Sequence, residues 1–97
     1  MTKEIRNDGI FYIEEGKTMM QVGFIRKDNV IIISKTFVDD SLRGQGKAGF
    51  LMEEIKGYAK ENKLLIKATC SYARTYFTKH PSEIYIDDPN LKEMCVL

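Results

Sequence analysis

The chain has 97 residues, 43% of them hydrophobic and 30% charged, so one domain over residues 1–97 with a modest core is expected and multi-domain readings are excluded. Fifteen lysines and arginines against 14 acidic residues leave a net charge of +1, which gives no general argument for nucleic acid or an anionic membrane as partner. The N-terminal MTKEIRNDG lacks the apolar core of a signal peptide, and the longest strongly apolar run, Val30 to Ile33, is far short of a membrane span. A cytoplasmic protein without a metal centre, whose Cys70 and Cys95 are free thiols, is the expectation.

Ile10 to Glu14 reads as a short strand closed by a Glu15-Gly16 turn. Thr18 to Arg26 follows, with Met20, Val22 and Phe24 on one face, and Lys27-Asp28-Asn29 makes the next turn. Val30 to Val38 opens with four β-branched residues, which suits a central strand buried on both faces. These three strands predict an antiparallel meander.

From Ala48 to Asn62 the period changes to that of a helix. Ala48, Leu51, Met52, Ile55, Tyr58 and Ala59 share one face, and Glu53, Glu54, Lys56, Lys60 and Glu61 take the other. Gly57 weakens this helix by about 1 kcal/mol relative to alanine. Leu64 to Thr69 reads as a fourth strand, and the intervening helix implies that it runs parallel to the third. Ser71 to Lys79 predicts a second helix, stopped at His80-Pro81 because the residue before proline avoids the helical region. The tail beyond Pro81 reads as irregular, with one turn of helix after Pro89. The predicted class is therefore α+β: a three-strand meander, a helix, a parallel fourth strand and a second helix.

Leu42 to Gly49, LRGQGKAG, fits two phosphate-binding patterns, G-x-G-x-x-G and R-x-x-G-x-A. The dinucleotide pattern needs an acidic residue about twenty positions on for the ribose, yet Leu64 to Ser71 holds no carboxylate and two antiparallel strands precede the loop. The magnesium-nucleotide loop fails as well, since Gly46-Lys47 is followed by alanine instead of a hydroxyl. What remains is a glycine-bearing loop, Leu42 to Ala48, at the mouth of a helix, where main-chain amides can hold a pyrophosphate without a strongly basic protein.

In one register, Val38 to Ala48 resembles the strand, acidic turn and R-G-x-G-x-A loop of the GNAT superfamily of acetyl-coenzyme A-dependent acetyltransferases. Cys70 to Pro81, CSYARTYFTKHP, resembles the cysteine-containing segment and closing H-P of its very small members. The resemblance implies a minimal GNAT-like fold in which two central parallel strands splay apart around pantetheine. It also implies acetyl-coenzyme A as cofactor and an amine as acceptor; the near-neutral charge and the lack of a membrane-length apolar run lead to the expectation of neither nucleic acid nor membrane as partner. By carry-over, Phe37 and Val38 would offer backbone groups to pantetheine. Arg43, Gly44, Gln45, Gly46, Lys47 and Ala48 would hold the pyrophosphate, with Lys47 reaching an outer phosphate.

Acetyl transfer needs a neutral amine, a polarised thioester and help for the departing thiolate. Larger superfamily members carry a thiolate-protonating tyrosine seven positions after the residue matched by Cys70, but here that position is Phe77. Cys70 lies between a strand and a helix, where the dipole favours a thiolate that can accept acetyl; the alternative is a small buried residue. His80 is a candidate base, or a helix-end histidine satisfied by the last carbonyls. Tyr72 and Tyr76 pack against the cofactor or in the core, and Ser34, Lys35 and Thr36 supply no carboxylate base. A coenzyme A or acyl-coenzyme A binding module without efficient catalysis is the competing reading.

Overall fold

The run richest in β-branched residues becomes the strand on which the rest of the sheet is organised. In the computed structural model, which describes residues 1–91, β1 (Thr2–Arg6), β2 (Gly9–Glu14), β3 (Lys17–Lys27), β4 (Val30–Val38) and β5 (Leu65–Ala68) form one sheet in that order. The first four strands are antiparallel, and β5 runs parallel to β4. Helix α1 (Lys47–Glu61) connects β4 to β5, and α2 (Ser71–Lys79) follows β5.

This is the α+β arrangement expected from the sequence, with a four-strand meander in place of three. The added strand, β1, pairs with β2 from Thr2↔Ile13 to Arg6↔Gly9. All five of its residues are exposed, and Ile5 is its only apolar one, so no alternation marks it in the sequence. Backbone pairing holds it at the sheet edge, helped by Lys3 Nζ at 2.6 Å from Glu54 of α1 and by the Arg6 guanidinium over the Phe11 ring, and the charges of Lys3, Glu4 and Arg6 keep that edge from pairing further.

Ile10, Val22, Ile31, Ile33 and Ile66 from the sheet meet Leu51, Met52 and Ile55 of α1 in a core closed to solvent. Glu15 (φ 50°) and Gly16 (φ 76°) turn β2 into β3 with both residues in the left-handed region, the geometry that matches strand twist. No helix separates these strands. Asn62 ends α1 by donating from Nδ2 to the Tyr58 carbonyl (2.9 Å), and Leu64 N–H then bonds the Ala59 carbonyl (2.8 Å), which turns the chain into β5.

The tail is less irregular than expected. Ile66 N–H donates to the Ile84 carbonyl and Ile86 N–H to the Ile66 carbonyl, both at 2.8 Å, so Tyr85 bridges the free edge of β5 in parallel. Arg74 of α2 ties it down further, donating from Nη2 to the carbonyls of Asp88 (3.0 Å) and Leu91 (2.6 Å). Asp88 to Leu91 is a turn, and the remainder of the helical turn expected after Pro89 lies outside the described residues, as does Cys95. No helix among the described residues is long and apolar enough to cross a membrane.

Candidate functional site

A one-residue irregularity in β4 creates the site. Register against β3 runs Gly23↔Lys35 and then Phe24↔Ile33, so Ser34 is an extra residue that bulges out of the ladder. Pairing with β5 stops at the same level, with Ile33↔Ala68. The Ile33 carbonyl then takes both the Thr69 N–H (2.9 Å) and the Cys70 N–H (3.1 Å), which turns the chain away from β4. Beyond Ile33 the two parallel strands diverge, and Lys35 to Val38 have no β5 partner on that side. The bulge also keeps Thr36 and Val38 on the helix-covered face with Ile31 and Ile33; without it that face would receive Lys35.

A cavity of about 240 Å³ opens in this divergence, lined by Thr36, Val38, Leu42, Arg43, Gly44, Gly46, Lys47, Ala48, Gly49 and Tyr72. Its volume suits an extended arm more than a whole nucleotide. At its outer end stands the N-terminus of α1. Gly46 is the N-cap with φ 72°, no side chain caps the helix and no acidic residue occupies its first turn. The amides of Lys47, Ala48 and Gly49 precede the first helical bond, Phe50 N–H to the Gly46 carbonyl (3.0 Å), and so point out of the helix unbonded. With the helix dipole behind them they form an anion site, and Lys47 is among the residues lining the cavity there. Gly44 (φ 80°) and Gly46 need glycine for their backbone geometry, whereas Gly49 does not adopt a positive φ.

Arg43 folds back on the loop. Its Nε donates to the Val38 carbonyl (3.2 Å) and lies 3.1 Å from Asp40 Oδ1, so it braces the loop against the end of β4 while lining the cavity. Gln45 donates to the Ser41 carbonyl (3.3 Å) and does not line the cavity. Phe37 alternates to the opposite face of the sheet from Thr36 and is likewise absent from the lining. Asp39 anchors the start of the loop: its Oδ2 accepts from Ser41 N–H (3.1 Å) and Ser41 Oγ–H (2.7 Å), and Lys17 Nζ lies 3.2 Å from Oδ1.

The Ser41 hydrogen bonds first, and then the Lys17 ammonium, hold the Asp39 carboxyl below the usual carboxylate range. A depressed folded pKa stabilises the folded chain above the unfolded value of about 3.9, and that contribution is lost as pH falls through the folded value. Asp39→Asn is therefore expected to lower the urea midpoint at neutral pH, with the gap to wild type closing in strong acid. Parallel urea titrations from neutral to acid check this, and a gap independent of pH refutes it.

On the other wall, Cys70 is the N-cap residue of α2 and is fully buried. Its Sγ lies 3.6 Å from Thr36 Oγ1, and Thr36, itself 1% exposed, stands between it and the cavity. Cys70 is disulfide-bonded, which corrects the free thiol expected there. His80 is not brought to this point. It lies at the far end of α2, about 15 Å along the axis at 1.5 Å per residue, exposed and stacked on Tyr76 with centroids 4.4 Å apart.

Tyr76 packs over Gly49 and donates to Glu53 of α1, outside the cavity lining. Burial first, and then the Glu53 hydrogen bond, pushes its phenol up to about 12. Tyr72 is the α2 side chain that borders the cavity, and burial raises its pKa also. Phe77 faces inward, 3% exposed, with its ring stacked on Tyr85 at 4.6 Å. Sequence reasoning passed over Thr36 because it searched β4 for a carboxylate; the available signal was a polar residue on the same face as Val38.

The chain matches the family model described as GCN5-related N-acetyl-transferase over residues 10–88. Its fold is similar to the solution structure of a GCN5-like protein from Staphylococcus aureus, proposed to be an N-acetyltransferase. The two are 26% identical with a TM-score of 0.73, over 92% of this chain and 91% of that one. No functionally curated protein matches the sequence. Splayed parallel strands, a capless helix mouth at their divergence and a family match across most of the chain converge on one assignment: the chain belongs to the GCN5-related N-acetyltransferase family.

Proposed function

We propose that this protein binds acetyl-coenzyme A in the cleft between β4 and β5 and transfers its acetyl group to an amine. The observation that carries the reading is the alignment of three features along one cavity: unbonded amides at the mouth of α1, the unpaired edge of β4, and the buried hydroxyl of Thr36. In this reading the amides of Lys47 and Ala48, with the Lys47 ammonium, hold the diphosphate. Gly44 and Gly46 supply the backbone geometry, and Arg43 fixes the loop on β4. The edge of Lys35 to Val38, on which β5 makes no pairs, offers peptide groups to the amides of the pantetheine arm as a further strand would, with the Val38 carbonyl shared with Arg43. Phe37 contributes through its backbone, and Tyr76 supports the cleft from behind Gly49.

When bound, the thioester supplies an activated acyl group. The amine lone pair forms the new C–N bond, the C–S pair leaves with sulfur, and the amine's surplus proton balances the thiolate charge. Among the described residues the cavity lining holds no carboxylate or histidine to take that proton, so in this reading the amine delivers it to water. The two-residue β2–β3 turn leaves little chain to enclose a large acceptor, which favours a small amine or an exposed protein amine.

A coenzyme A binding module is the second reading, favoured by the same lack of a base and by Phe77 in the core. Calorimetry with acetyl-coenzyme A and coenzyme A, followed by thiol release in the presence of an amine panel, separates the two. Binding with amine-dependent thiol release is expected. Binding without release selects the module, and absence of binding overturns both.

A further inference from the structure

Thr36 and Cys70 form a buried polar contact at the inner end of the cleft, and their hydrogen-bond chemistry depends on the oxidation state of the sulfur. A disulfide sulfur carries no hydrogen, so in the structure Thr36 Oγ1–H is the donor across the 3.6 Å contact. Its proton is then directed at Cys70, and only oxygen lone pairs face the cavity. A thioester presents acceptor atoms, its carbonyl oxygen above all, which gain nothing from a lone pair. With Cys70 as a thiol, the S–H can donate to Thr36 Oγ1 and the hydroxyl proton is released toward the cavity. That arrangement satisfies both groups and a bound carbonyl together; the reverse leaves the buried S–H and the carbonyl without partners.

We infer that Thr36 is the side chain that meets the thioester, and that Cys70 is a positioning residue whose oxidation state sets whether the Thr36 hydroxyl donates into the cleft. This rests on the cofactor reading above and assigns the inner end of that site. It also revises the role expected for Cys70: the sulfur is fully buried behind Thr36 and acts through it, not as the acetyl acceptor. Release of the switch consumes one dithiol, which gives two electrons and two protons, becomes a disulfide, and leaves a thiol on Cys70 and on its former partner.

Acetyl-coenzyme A labelled with ¹³C at the thioester carbonyl reads the hydrogen bond directly. Bound to dithiol-reduced wild type, the carbonyl resonance is expected to move downfield of its position in oxidised protein. Reduced protein should also bind acetyl-coenzyme A about fivefold more tightly, relative to coenzyme A, than oxidised protein does, the equivalent of one ordinary hydrogen bond. Thr36→Val should lose both effects and Thr36→Ser should keep them. Cys70→Ser carries a hydroxyl in place of sulfur and should give the reduced-type signal with or without dithiol. If Thr36→Val does not fold, Thr36→Ser together with the oxidised and reduced wild type decides the matter. An unchanged carbonyl signal in folded Thr36→Val, or identical signals from oxidised and reduced wild type, overturns the inference and leaves the cofactor reading standing. Failure of wild type to bind either cofactor overturns both.

Discussion

Gly46→Val is expected to lower affinity for acetyl-coenzyme A by at least about a hundredfold while the domain stays folded. Gly46 has φ 72°, and a Cβ built on it meets nothing within 4 Å, so the effect comes from backbone conformation and not from a clash. Holding a β-branched residue in the left-handed region costs roughly 1–2 kcal/mol. The loop is exposed and bears little of the core, so it relaxes to a negative φ instead. That relaxation turns the amides of Lys47 and Ala48 away from a common point. Two lost charge-assisted hydrogen bonds, at about 1.5–3 kcal/mol each, amount to a hundredfold or more. Gly49→Ala is the control. Its Cβ would meet Tyr76 Cε1 at 3.6 Å and Tyr72 Oη at 3.8 Å, both ordinary contacts, so affinity should change by less than about threefold. Calorimetry on both variants, beside thermal unfolding, makes the comparison. Wild-type affinity in Gly46→Val means the diphosphate is held elsewhere.

The same loop shows which parts of the molecule the sequence discloses. Its glycines and its place between strand and helix are local facts, and the period change at Ala48 marks the helix that gives the amides their direction. Alternation along β3 and the β-branched start of β4 fixed those strands to within a residue or two. β1 was not legible because an edge strand held by backbone pairing carries no burial pattern. Nor was the bulge at Ser34, which depends on register against β3 and is not encoded by any single residue. That bulge decides that Thr36 and not Lys35 enters the cleft, so the inner half of the site had to await the structure. His80 was misleading for a related reason: the H-P signal ends α2 correctly, but the helix carries its last residue away from its first. The disulfide at Cys70 depends on spatial proximity, which cysteine count and composition do not report.

Phe77→Ala is expected to cost about 3–5 kcal/mol, the range for a buried aromatic truncated to alanine, against the roughly 5–15 kcal/mol that holds a domain together. The ring is 3% exposed, stacks on Tyr85 at 4.6 Å with planes 9° apart, and meets Tyr76 edge-on at 5.4 Å. It therefore fastens α2 to the segment that bridges the β5 edge through Ile66. Loss of the ring should expose that edge, so amide exchange at Ile66 and Ile86 should rise more than at Ile10 or Val22 in the meander. Phe77→Tyr sharpens the test, because it adds a hydroxyl at the position where the resemblance to larger superfamily members implies one. Here the added oxygen enters a packed apolar contact, so a loss of about 1–3 kcal/mol is expected, with no gain in amine-dependent thiol release. Urea unfolding and exchange measure the first effects, and the release assay the last. A Phe77→Tyr protein of wild-type stability that turns over faster would mean that this face of α2 reaches the cofactor, and that the cleft extends past Thr36 toward Tyr85.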